Sequence, residues 1–220
     1  MKKVNVEQEV LAKNQDWAAA NRERLRREGI RSFNMISSPG SGKTTLLERT
    51  LAALGRKVPL AVIEGDIQTD NDAARLRVYG VPVVQINTGG LCHLDASMIS
   101  RTLDTFDLPS LRLVIIENVG NLVCPSSYDL GEDHKVVVIS VTEGDDKPLK
   151  YPGIFRRASV MVVNKTDLLA HTDFSLEAVR RNALSINPDL TVFELSCRSG
   201  EGLESWLEWV ESGSATTKTP

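Results

Sequence analysis

The run Ser37-Ser38-Pro39-Gly40-Ser41-Gly42-Lys43-Thr44-Thr45 carries residue types that suit a polyphosphate. Glycines let backbone N–H groups curl around phosphate oxygens without Cβ interference, a lysine reaches the β- and γ-phosphates, and a hydroxyl serves Mg²⁺. Gly40, Gly42, Lys43 and Thr44 supply these, with Ser41 and Thr45 beside them. An apolar run precedes the loop and a helical pattern follows it, which is the context a P-loop requires. Ser37 stands where the pattern G-x-x-x-x-G-K-S/T has its first glycine, so the backbone entering the loop must be one that a serine can adopt.

Asn164-Lys165-Thr166-Asp167 supplies base choice. A carboxylate accepts hydrogen bonds from guanine N1–H and its 2-amino group, whereas adenine offers an acceptor at N1 and no 2-amino group, so a buried Asp167 left unpaired penalises the wrong base. Ser196-Cys197-Arg198-Ser199-Gly200 can complete the base pocket through its backbone, with Cys197 read as structural. The implied ligand is GTP. Hydrolysis needs an acid near Mg²⁺ and a contact to the γ-phosphate. Leu113–Glu117 is an apolar run ending in an acid, Gly120 follows three residues on, and Asp66 in Glu64-Gly65-Asp66 offers a second acid. With Lys43, the residues Asp66, Glu117 and Gly120 form the expected catalytic set, and Thr44, Asp66 and Glu117 the expected Mg²⁺ ligands. Asn121 stands where fast small GTPases carry a water-orienting glutamine, so intrinsic turnover is expected to be slow. Asp70 and Asp72 are read as helix N-capping residues.

Two cysteines and a histidine invite a metal. Cys92-His93 opens the segment after Thr88-Gly89-Gly90-Leu91, and Cys124-Pro125 lies just beyond Gly120. Soft sulfur with borderline nitrogen suits Zn²⁺ or Ni²⁺ and disfavours Mg²⁺ or Ca²⁺. Small buried thiols without a metal are the alternative. A helix start at this point would lower the Cys92 thiol pKa. Four residue steps from Gly120 to Cys124 reach at most roughly 14 Å, so an ion on Cys124 sits at the end of the phosphate-sensing segment, and its affinity should depend on the nucleotide. His134 and His171 fall in polar segments and are read as solvated.

These residues need a scaffold that gathers them. Short β-rich runs at 33–37, 60–64, 83–87, 113–117, 136–141, 160–164 and 192–195 alternate with mostly helical stretches. Runs such as Val136-Val137-Val138-Ile139 suit strands buried on both faces, so the expected fold is α/β, a doubly wound, mostly parallel sheet with flanking helices. Val6 to about Glu28 reads as a helix stopping at Gly29 and leaning on the rest. The expected organisation is a helical segment over 1–29, a GTPase domain with the metal site over 30–212, and a frayed tail over 213–220. The 220 residues suit one core. With 41% hydrophobic and 25% charged residues and no long apolar run, membrane-spanning, fibrous and mostly disordered classes are excluded. The net charge of −3 gives no electrostatic footprint for nucleic acid or an anionic membrane. The charged start, Met1 to Glu7, shows no signal-peptide pattern, so a cytoplasmic location is expected.

Taken together with Cys92-His93-Leu94-Asp95-Ala96 and Glu117-Asn118-Val119-Gly120-Asn121-Leu122-Val123-Cys124-Pro125, these motifs resemble the HypB family of nickel-maturation GTPases over about residues 21–209. The resemblance implies a SIMIBI-class G domain that forms a homodimer. Its ligands would be GTP or GDP, Mg²⁺, and Ni²⁺ or Zn²⁺ on Cys92, His93 and Cys124. It also implies the nickel carrier HypA and the hydrogenase large subunit as partners. The run from Glu143 to Pro152 is similar to the family too, and by analogy Lys147 is expected to reach a partner's nucleotide across the dimer. The N-terminal stretch, Met1 to Glu28, has neither the Cys-x-x-Cys-Gly-Cys motif nor the histidine-rich stretch that some family members carry, so a tight N-terminal nickel site is not expected. Two alternatives compete: a urease-type nickel GTPase, whose Cys-Pro-His triplet is missing because no histidine follows Pro125, and a metal carrier with vestigial hydrolysis.

Overall fold

The computed structural model describes residues 6–66 and 71–213. Seven strands form one sheet: β1 (Arg31–Ser37), β2 (Leu60–Asp66), β3 (Val83–Asn87), β4 (Leu113–Glu117), β5 (His134–Ser140), β6 (Val160–Asn164) and β7 (Thr191–Glu194). Their order is β3-β2-β4-β1-β5-β6-β7, and every pairing is parallel, so the expectation of a mostly parallel sheet is met in full. The helices are α1 (Val6–Arg27), α2 (Lys43–Leu54), α3 (Asn71–Arg77), α4 (Ala96–Leu103), α5 (Lys147–Lys150), α6 (Pro152–Arg157), α7 (Leu176–Ile186) and α8 (Leu203–Ser212). Because all strands run the same way, Ser37, Asp66, Glu117, Ser140 and Asn164 reach one carboxyl edge of the sheet. This is where open α/β sheets bind ligands.

Side-chain alternation assigns the two faces. Phe33, Met35, Val62, Ile115, Val136 and Val162 pack with Leu47 and Leu51 of α2 and with Trp206 and Trp209 of α8. On the opposite face two apolar clusters lie side by side. Ile36, Val137 and Met161 meet Phe155 and Val179, whereas Ile63, Val114 and Ile116 meet Ile99, Leu103 and Leu25 of α1. Asn34 belongs to neither cluster, although it is fully buried.

The helix α1 leans on the sheet as its pattern implies, and two buried asparagines set its position. Asn14 accepts from the Ala96 N–H at 2.8 Å and donates to the Asp129 carbonyl at 2.7 Å, while Asn21 donates to the Ala96 and Leu130 carbonyls. Gly131 has φ of +92°, and a Cβ there would meet the Ala18 carbonyl at 2.6 Å, so glycine is required where the chain crosses α1. Two expectations change. His134 is not solvated: it starts β5, lies half-buried, and packs its ring 5.3 Å from Trp209, and burial lowers its pKa. His171 is exposed, as expected. Gly213 belongs to no frayed tail but caps α8 with φ of 74°, and 214–220 lie outside the described residues.

Candidate functional site

The strand β1 delivers the loop into α2. Gly42 caps that helix with φ 90° and ψ 27°, and Gly40 has φ of 79°. A Cβ on Gly42 would sit 2.4 Å from Asn164 Nδ2, so glycine serves both the left-handed backbone and the close approach of the base-reading segment. Ser37 needs no such conformation, because Lys165 is the one non-glycine residue with positive φ among the described residues.

At the phosphate end, Lys43 Nζ and Thr44 Oγ1 both donate to Glu117 Oε1 at 2.6 Å. Glu117 Oε2 is buried with no hydrogen-bond partner. An orphaned buried acceptor of this kind costs on the order of 1–3 kcal/mol, more when charged. A hard cation with its waters would satisfy it, so this oxygen-donor set fits Mg²⁺. Gly120 lies directly on the loop, since a Cβ there would come 3.4 Å from Pro39 Cα. Asp66 ends β2 at the same edge. Asp72 does not cap its helix: α3 starts at Asn71, and the Asp72 carboxylate reaches Thr44 Oγ1 at 3.4 Å and Arg75 at 3.0 Å. Asp70 lies outside the described residues.

Lys147 serves its own chain's loop in this structure. Its ammonium donates to Ser38 Oγ at 3.0 Å and pairs with Glu143 at 2.8 Å. Glu143 also accepts from Ser41 Oγ at 2.7 Å. Burial alone would raise the Glu143 carboxyl, but the hydrogen bonds from Lys147, Ser41 and Ser38 outweigh it and hold its pKa below the ordinary value.

Glu64 is the acid that sequence reasoning passed over. It pairs in register with Glu117 across β2 and β4, and Glu64 Oε2 is buried without a partner. Burial pushes its carboxyl up to about 8, with the charges of Glu117 and Asp66 adding and that of Lys43 opposing. The unfolded group titrates near 4.5, so between these values the folded chain keeps a proton that the unfolded chain has lost. The associated stability is fully present below about pH 4.5 and is lost as pH rises toward 8. Glu64→Gln should therefore flatten the pH dependence of unfolding without metal or nucleotide. The expected gain is about 2–4 kcal/mol at pH 8, a Tm rise of about 5–10 °C, with a gain under about 1 kcal/mol at pH 5. Equal Tm changes at both pH values in thermal melts would contradict this.

At the base end, Asn164 accepts from the Lys165 and Cys197 N–H groups and donates to the Ser41 carbonyl at 3.0 Å, joining the base segment to the phosphate loop. Lys165 Nζ donates to the Gly40 carbonyl at 2.7 Å. Ser196 Oγ donates to Asp167 Oδ1 at 2.6 Å and accepts from the Arg198 and Ser199 N–H groups, which orients the carboxylate. Cys197 is buried, and burial pushes its thiol up to about 11, in keeping with a structural role. The cavity holding Asp167, Leu168 and Cys197 shares Gly42, Thr45 and Lys165 with the phosphate cavity, so the two make one cleft.

The ligating atoms of Cys92, His93 and Cys124 all lie within 4.8 Å of one another. They come from the loop after β3 and from a 3₁₀ turn, Cys124–Ser127. The expected helix-start effect on Cys92 is absent, because Asp95 caps α4 and the helix begins at Ala96. The neighbouring Cys124 thiol, followed by burial, raises the Cys92 pKa, and a hydrogen bond from Asn121 opposes this. The Asn121 side-chain oxygen, Oδ1, accepts from the Val123 N–H at 2.8 Å. The His93 ring stacks on Tyr128 with centroids 3.9 Å apart, and burial lowers its pKa. Tyr128 carried no spacing signal that would have placed it here, since only the packed turn brings it to His93.

The cleft, its glycine loop and the parallel sheet define a P-loop nucleotide-binding protein. The CobW/HypB/UreG nucleotide-binding domain matches residues 32–194. The hydrogenase maturation factor HypB of Azotobacter vinelandii is 57% identical over 208 residues, covering 94% of this chain and 69% of that one. The crystal structure of the HypB hydrogenase maturation factor from Archaeoglobus fulgidus superposes with a TM-score of 0.86 at 41% identity, covering 91% of this chain and 98% of that one. The crystal structure of HypB from Helicobacter pylori in complex with nickel gives a TM-score of 0.85 at 41% identity, over 94% of this chain and 100% of that one. The chain belongs to the HypB family of hydrogenase maturation factors. Among the described residues no helix is long and apolar enough to cross a membrane.

Proposed function

We propose that this chain is a GTP-hydrolysing metallochaperone in the cytoplasm whose nucleotide cycle and dimerisation gate nickel delivery during nickel-iron hydrogenase maturation. The observation that carries the reading is the compact Cys92, His93 and Cys124 cluster at the end of a segment that begins on Glu117 and rests Gly120 on the phosphate loop. The nickel complex of the Helicobacter pylori relative supports nickel as cargo, with Zn²⁺ as the competing ion for the same ligands.

In this reading the loop backbone from Gly40 to Thr45 and the Lys43 ammonium hold the phosphates, while Asn164, Asp167 and the Ser196-Cys197 backbone hold the guanine. Thr44, Asp66 and Glu117 would hold Mg²⁺, which when bound neutralises charge on the β- and γ-phosphate oxygens. Arrival of a γ-phosphate draws Lys43 away from Glu117 and offers the Gly120 N–H an acceptor. Water then attacks phosphorus, giving GDP and phosphate. Asn121 is engaged with Cys92 and Val123, so it does not stand ready to orient that water, which supports a slow intrinsic rate. Exposed Val10, Trp17, Leu91 and Val123 lie on the two loops of the cluster and on α1, offering apolar area for a second copy, for HypA or for the hydrogenase large subunit. Lys147, which within one chain holds Ser38 and Glu143, is the lysine of that run that reaches the partner protomer's nucleotide in this reading.

A titration with Ni²⁺, and in parallel Zn²⁺, tests the reading, the Ni²⁺ series followed by thiolate charge-transfer absorbance with GDP and with a non-hydrolysable GTP analogue. Cys92→Ala should lose the band and bind nickel at least about 100-fold more weakly. Unchanged affinity in that variant would remove the metal assignment, and equal wild-type affinity with the two nucleotides would remove the gating.

A further inference from the structure

A buried polar chain occupies the seam between the two apolar clusters that flank the sheet, and it runs from the switch segment to both sides of the imidazole ligand. Its centre is Asn118, fully buried between Glu117 and Val119. One amide oxygen, Asn118 Oδ1, accepts from two backbone donors: the Val119 N–H at 3.0 Å, next to Gly120, and the Leu94 N–H at 3.2 Å, next to His93. Its amide nitrogen donates to Asn34 Oδ1 at 3.2 Å, on the strand that ends in the phosphate loop. Asn34 in turn donates to Glu132 Oε1 at 3.2 Å. Glu132 is paired with the buried ammonium of Lys135, which donates to the Tyr128 carbonyl at 3.0 Å, and the Tyr128 ring carries His93.

We propose that Asn118 is a positioning residue that couples the two sites, its side chain making the place of His93 in the metal cluster depend on the place of Gly120 at the phosphates. This rests on the nucleotide-gated reading above and names the joint that transmits it. The physical ground is that a buried donor cannot be left unpaired without a penalty of about 1–3 kcal/mol. Movement of Val119 with Gly120 must therefore either carry Asn118, and with it Leu94, or strand a buried N–H. The covalent link from Gly120 to Cys124 moves one thiol only. The Asn118 link adds the opposite loop, so both halves of the cluster follow the nucleotide.

The test compares Ni²⁺ affinity with GDP and with a non-hydrolysable GTP analogue in wild type, Asn118→Ala and Asn34→Ala. Couplings between sites commonly amount to about 5- to 150-fold in affinity. Wild type is expected in that range, Asn118→Ala within about twofold between nucleotides, and Asn34→Ala in between, because it frees the amide without removing its oxygen. The charge-transfer spectrum at saturating nickel should be retained in both variants, a result that a collapsed metal site would not give. Far-UV circular dichroism checks folding, and Asn34→Ala keeps the question open to measurement if Asn118→Ala unfolds. A wild type without nucleotide dependence would overturn the gating itself. A coupled wild type together with fully coupled Asn118→Ala and Asn34→Ala variants would overturn only the role of Asn118.

Discussion

Lys43→Ala is expected to reduce GTP turnover by about 10²- to 10⁴-fold. The ammonium is largely buried and pairs with Glu117, whose side chain is 1% exposed. Removing one partner of a buried, hydrogen-bonded charge pair costs about 3–5 kcal/mol, since the remaining charge is left without compensation. In the loaded site the same ammonium is the cation facing the β- and γ-phosphates, where charge grows in the transition state, so the loss falls on the rate as well as on binding. At 1.36 kcal/mol per factor of ten, this amounts to about two to four decades. Phosphate release measured under saturating GTP is the check, with circular dichroism to confirm the fold. Turnover within tenfold of wild type would remove Lys43 from the phosphate site. If turnover vanished while nickel delivery to hydrogenase survived intact, hydrolysis would be vestigial and the carrier reading would replace the gating one.

Asp167→Asn is expected to weaken GTP binding by about 10²- to 10⁴-fold and to admit xanthosine triphosphate. Guanine presents two donors, N1–H and the 2-amino group, to a carboxylate that only accepts. Hydrogen bonds to a charged acceptor contribute about 1.5–3 kcal/mol each. An asparagine keeps one acceptor and replaces the other with a donor, so the guanine amino group meets an N–H. Xanthine, with a carbonyl in place of that amino group, matches the new pattern. The position is well suited to such a swap because Ser196 Oγ fixes Asp167 Oδ1 at 2.6 Å. Competition between GTP, ATP and xanthosine triphosphate for a fluorescent nucleotide reads the outcome. Equal affinity of the wild type for GTP and ATP would end the base assignment.

Much of this site could be read in the residues. The glycines of the phosphate loop and Asn164 to Asp167 are short segments in which function demands particular backbone freedom or particular donors, so local spacing carries the signal. Gly42 illustrates this, since both its positive φ and the close approach of the Asn164 side chain require the missing Cβ. The apolar runs likewise announced buried parallel strands, because strands covered on both faces leave no polar alternation. His134 and Asp72 were misread for the opposite reason. The partners of each, Trp209 for one and Thr44 for the other, lie far along the chain.

Residue types and spacings were thus sufficient for the strand pattern and the nucleotide motifs, because each depends on stereochemistry within a few residues, and they singled out Cys92, His93 and Cys124, whose ligating atoms only the fold brings within 4.8 Å. Only the packed chain decided that Glu64 lies beside Glu117, that Tyr128 carries His93, and that Asn118 ties Leu94 to Val119. Such contacts depend on sheet order and on a buried seam, where desolvation makes every donor find an acceptor whatever its distance in sequence.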